Sequence, residues 1–121
     1  MVFQEVWKGG SMTNFTAFAK LLSFLRMNSH HQMGVLSIES LLLVADAPRT
    51  LEELTHLTGA HNGSVSRAIR SITPQWNAEG EVIQMPHLHL LTRKKRKSPL
   101  TGHEYRLAKG GKQLLQEAGL I

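Results

Sequence analysis

Two groups of residues carry the chemistry this sequence offers. The first is Asn62, Ser64, Ser66, Arg67, Arg70 and Ser71, cations interleaved with short hydroxyl and amide side chains. A guanidinium presents paired donors that match the two acceptors on a guanine edge, and a serine hydroxyl can bond a base or a phosphate. The second is Arg93, Lys94, Lys95, Arg96 and Lys97, five consecutive cations. Charge at that density suits a phosphate backbone, where each contact releases condensed counterions. Such binding is indifferent to sequence and sensitive to salt. An arginine laid into a narrow minor groove would add readout of shape. The location of the charge matters more than its size. The chain is +5 overall, yet residues 61–112 hold ten of the fourteen Lys and Arg and three of the nine acidic residues, a local +7. The rest sums to −2, so one stretch is the polyanion-facing part.

Other chemistries fare worse. Of the seven histidines, His30 and His31 adjoin, and His87 and His89 would share a face if they lay on a strand. With no cysteine and no acidic cluster close by, the ligand set of a structural zinc is missing, so no metal is expected. No phosphate-binding glycine loop and no His-Glu-x-x-His is present. No spacing of Ser, His and acid suggests a nucleophile with its base, so neither an enzyme nor a cofactor is expected.

The elements that must position these residues follow from periodicity. Phe15, Phe18, Leu21, Leu22 and Leu25 recur at steps of three and four, which predicts a helix over 14–27, capped by Thr13 or Asn14. Residues 28–34 read as a loop. A second helix opens at Ser37, is apolar on most faces and stops at Pro48, so it is expected to be central and buried. Thr50-Leu51-Glu52-Glu53 fits a capping box, in which the first side chain and the fourth bond each other's backbone. The short helix it opens ends at Gly59. After the turn Ala60-His61-Asn62-Gly63, a helix capped by Asn62 or Ser64 puts Val65, Ala68, Ile69 and Ile72 inward and runs to Pro74. Residues 75–86 read as an irregular connector, with a short strand at Val82–Ile83. The alternation His87 to Thr92 predicts a strand, Ser98 to Gly102 a turn, and Glu104 to Leu107 the return. A hairpin with a basic tip results, followed by a helix over 109–118.

Helix, helix, helix-turn-helix, hairpin, helix is an order that resembles the MarR-type winged-helix regulators. The resemblance spans about residues 13–121. It rests on Thr50-Leu51-Glu52-Glu53-Leu54, on Ser64-Val65-Ser66-Arg67-Ala68-Ile69, and on Tyr105-Arg106-Leu107-Ala108-Lys109-Gly110 at the junction after the wing. In two places the chain departs from that pattern. The connector at 75–86 is longer than the expected tight turn, and Arg93-Lys94-Lys95-Arg96-Lys97 stands where the family has Asp-Arg-Arg.

The resemblance implies a mostly α chain with a small β-hairpin, an α+β winged helix-turn-helix. The expected organisation is a flexible segment at 1–12 and one domain at 13–121. The expected activity is sequence-specific binding of double-stranded DNA by a transcriptional regulator, a repressor, acting as a homodimer on an inverted repeat. A winged-helix module for protein interaction, or for replication or recombination, is the alternative, because fold does not fix function. No apolar run reaches the ~20 residues of a membrane span, and Met1–Gly10 lacks the charged and apolar regions of a secretory signal, so a cytoplasmic protein is expected.

Overall fold

The computed structural model describes residues 10–28 and 34–121. The first helix among the described residues, α1, spans Gly10–Asn28. Thr13 and Asn14 therefore lie inside the helix and not at its cap. Gly10, Ser11 and Met12, expected in a flexible lead-in, are helical, and residues 1–9 lie outside the described residues. Ala17, Leu21 and Leu25 form its buried stripe. Of the loop expected at 28–34, Asn28 is helical and residues 29–33 are outside the described residues.

α2 spans Val35–Asp46 and starts at Gly34, which is extended (φ −71°, ψ 152°) and offers no side-chain cap. Ser37 is thus not the opener but the third helical residue, buried against a neighbouring helix. The helix buries one stripe, Ser37, Ser40, Leu41 and Val44, at the three-and-four spacing. Ile38, Leu42, Leu43 and Ala45 are only partly covered. Helix hydropathy alone overstated the burial.

α3 (Leu51–Thr58) opens on the expected capping box. The Thr50 hydroxyl accepts from the Glu53 amide at 3.1 Å, and a Glu53 carboxylate oxygen accepts from the Thr50 amide at 3.1 Å. It closes on Gly59 at φ +69°, the left-handed conformation that glycine adopts without a Cβ penalty. α4 (Asn62–Arg70) is capped by neither Asn62 nor Ser64. His61 is the N-cap, its Nδ1 accepting from the Gly63 amide at 3.1 Å. The helix ends at Arg70, four residues before Pro74.

The connector holds a second small sheet. β1 (Gln75–Trp76) pairs antiparallel with β2 (Val82–Gln84), with a register irregularity between Gln75 and Trp76. The Asn77 side chain closes the turn by accepting from the amides of Glu79 and Glu81. β3 (Leu91–Lys95) and β4 (His103–Leu107) form the expected hairpin. His87–Leu90 are not part of it. The amides of Leu90 and Leu91 both donate to the Ile72 carbonyl, so strand pairing starts only at Leu91. Arg49 adds a single residue of antiparallel pairing to β4, exchanging backbone bonds of 3.1 and 2.7 Å with Tyr105.

α5 (Lys109–Ala118) packs its first turn on the backbone before β3. A Cβ on Gly110 would meet the His89 carbonyl at 2.7 Å, and one on Gly111 would strike the Leu90 carbonyl. Glycine is required there for close approach.

One core joins α1 (Leu21, Leu25), α2 (Leu41, Val44), α3 (Leu54), α4 (Val65, Ile69), the hairpin (Leu91) and α5 (Leu114, Leu115). Each fully buried aliphatic side chain contributes about 1.5–3 kcal/mol relative to exposure. The architecture among the described residues is α+β, five helices with two small antiparallel sheets. None of these helices is long and apolar enough to cross a membrane.

Candidate nucleic-acid interface

The outer face of α4 is set by its inner one. Val65 and Ile69 are buried, with Ile72 just beyond the helix. At 100° per residue this turns Gly63, Ser66, Arg67 and Arg70 outward. Arg67 and Arg70 are exposed, and neither has an ion-pair partner among the described residues. Arg67 reaches back one turn, donating from Nη2 to the Ser64 hydroxyl at 3.4 Å. Gly63 leaves a shallow spot between His61 and Arg67. A Cβ there would lie 3.2 Å from His61 Nδ1 and 3.5 Å from Arg67 Nη1. Asn62 is exposed at the helix start, where unpaired backbone N–H groups favour an anion.

Ser71 is exposed too, but its hydroxyl is committed to backbone. Past the end of the helix, its hydroxyl donates to the Ala68 carbonyl at 2.6 Å and lies 3.3 Å from the Ser37 hydroxyl of α2. Ser37 bonds the same carbonyl at 3.0 Å. Ser71 thus helps fasten α4 to α2, a task invisible in local sequence because its partner lies 34 residues away.

The basic run is divided by the strand. Leu91, Arg93 and Lys95 alternate with Thr92 and Lys94, and pair with Leu107, Tyr105 and His103. Leu91 is in the core, so Arg93 and Lys95 share the face turned toward α3 and α4. Lys94, opposite Glu104, belongs to the other face. Arg96 is half-buried. Its Nε lies 3.9 Å from a Glu104 carboxylate oxygen and is shielded from solvent, and its amide donates to the Gly102 carbonyl at 3.0 Å. It anchors the turn. Lys97 is exposed in the loop. A single strand face cannot hold all five cations: Arg93 and Lys95 share the face turned toward α3 and α4, Arg96 borders the same α3-side cleft as Arg93, Lys97 lies in the open loop, and Lys94 belongs to the other face.

The α4 face and the hairpin meet at a residue not anticipated as part of the site. Tyr105, the only tyrosine, lines a cavity of about 210 Å³ together with Ser66, Arg70, Gln75 and Arg93. Burial raises its phenol above the ordinary value. The positive charges of Arg93 and Arg70 oppose the shift, and Glu52 adds to it. The phenol therefore stays protonated, a hydrogen-bond donor beside two guanidinium groups. A phosphate oxygen suits that set of donors. The sequence signal was the pairing of Arg93 with Tyr105, which emerges only once the hairpin register is fixed.

His87 and His89 are exposed and lie outside a strand, so they lack the shared face assumed for them. Among the described residues no three His, Cys, Asp or Glu are grouped to hold a metal. No protein-family model, no curated protein and no solved structure matches this chain.

Proposed function

We propose that the chain is a winged-helix, MarR-type regulator of transcription that binds double-stranded DNA as a homodimer. α3 and α4 act as the helix-turn-helix, with α4 in the major groove and β3–β4 as the wing on the backbone or minor groove. One observation carries this reading. Arg67 and Arg70 on α4 and Arg93 and Lys95 on the hairpin are exposed, without ion-pair partners among the described residues, and belong to surfaces that meet around Tyr105. Unpaired cations converging from two elements fit a ligand with many anionic groups. In this reading Arg67, nearest the helix start, reads a base edge. Arg70, Arg93 and Tyr105 hold one phosphate, and Asn62, Ser64 and Ser66 bond the adjoining backbone or bases.

The test is fluorescence anisotropy with duplexes from the protein's own upstream region and with random duplexes of equal length. Tighter binding to the upstream duplex, lost in Arg67→Ala, supports a regulator. Equal binding to both removes sequence-specific regulation at that region.

A further inference from the structure

The back of the hairpin bears a second basic surface that the DNA-facing side does not use. Lys94 on β3 and Lys109 and Lys112 on the first turn of α5 line one open cleft of about 580 Å³. All three are exposed and have no ion-pair partner among the described residues. The other charges at this face are neutralised in place. Arg106 Nε lies 2.9 Å from Glu104, and Asp46 is held by Arg49 at 2.9 Å. Lysines in the first turn of a helix oppose its dipole, and α5 has no acidic residue there to offset them. The floor of the cleft is different in kind. It is built from Val44, Ala45, Ala47 and Pro48 at the end of α2, with Leu107 beside them.

We infer that this cleft is a docking surface for an acidic peptide segment that also carries apolar side chains, and that it is open while the α4 face holds its own ligand. The cationic rim selects carboxylates, and the apolar floor takes the aliphatic anchors between them. A duplex is a broad convex cylinder that would meet the rim and leave the floor unfilled. An extended peptide reaches both. The strand alternation that sends Arg93 and Lys95 forward sends Lys94 back, so the two surfaces lie on opposite faces of one hairpin.

The test uses a short fluorescein-labelled peptide alternating glutamate with leucine. Its anisotropy is followed with the free protein and with the protein saturated by duplex. The expected result is equal binding in both cases. Analogues alternating glutamine with leucine, or glutamate with glycine, bind about tenfold more weakly. In K109E/K112E peptide affinity falls about tenfold while duplex affinity is unchanged. Both positions are exposed and glutamate suits a first turn, so the variant is expected to fold, and circular dichroism checks this. Displacement of the peptide by duplex, unchanged peptide affinity in K109E/K112E, or a parallel loss of duplex binding in that variant would overturn the inference. A protein that binds the peptide in the K109E/K112E-sensitive way but binds no duplex would remove the DNA-binding proposal and leave this one standing.

Discussion

The division of the basic run makes a quantitative prediction. Arg93 and Lys95 lie on the face of the hairpin turned toward α3 and α4, whereas Lys94 lies on the other face and Arg96 is half-buried, its shielded Nε 3.9 Å from Glu104. Two double variants remove the same formal charge: R93Q/K95Q and K94Q/R96Q. Each phosphate contact adds about 0.9 to the slope of log affinity against log salt, so R93Q/K95Q should flatten the slope by about 1.8. Between ~50 and ~200 mM salt the wild type should then lose roughly twelvefold more affinity than R93Q/K95Q does. K94Q/R96Q should leave the slope within about 0.5 of the wild type, because Lys94 belongs to the other face and the half-buried Arg96 keeps its Nε shielded from solvent near Glu104. Anisotropy of one labelled duplex across a salt series reads all three proteins directly. Equal flattening in both variants would refute the reasoning, because the run would then act as a diffuse cloud of charge and not as a face. An unchanged slope in R93Q/K95Q would refute it from the other side.

Further expectations concern the scaffold. Tyr105, the only tyrosine, should titrate above free tyrosine when its ultraviolet absorbance is followed, and further above with duplex bound, since a phosphate disfavours the phenolate. Because the folded state raises this pKa, the associated stability is complete below the unfolded value and is lost as pH rises through the folded one. Denaturant midpoints of wild type and Tyr105→Phe should therefore converge or diverge only in that alkaline window, and a difference that is constant across pH would contradict the burial of the phenol. Thr50→Ala removes the acceptor for the Glu53 amide and should cost about 1 kcal/mol in urea unfolding. Gly111→Ala drives a Cβ into the Leu90 carbonyl and should cost about 1–3 kcal/mol, with little effect if α5 is free to move away.

What sequence reading reached and what it missed divide along the range of the interactions. The capping box of Thr50 and Glu53 and the left-handed Gly59 are closed within a few residues, so their signals are complete in the local sequence. The cap of α4 was misplaced because an imidazole nitrogen accepts the Gly63 amide where a hydroxyl or side-chain amide oxygen was expected. β2 covers the short strand expected at Val82–Ile83, whereas its partner β1 is two residues long, too short for alternation to register. The residues of the candidate interface were mostly named in advance, but their grouping was not. The strand pleat divides Arg93–Lys97, the Ser37 contact draws Ser71 away, and Tyr105 enters through a cross-strand partner. Each of those facts depends on register or on a contact between distant segments.

The central claim, that α4 reads the major groove through Arg67, is tested most directly by methylation interference on a duplex selected from a random pool. Guanine N7 lies in the major groove, so its methylation blocks a bidentate arginine without touching the minor groove. The expected result is at least one guanine per half-site whose N7 methylation abolishes binding of the wild type and has no effect on the residual binding of Arg67→Ala. Binding that tolerates N7 methylation at every guanine and is lost only on minor-groove modification would contradict it.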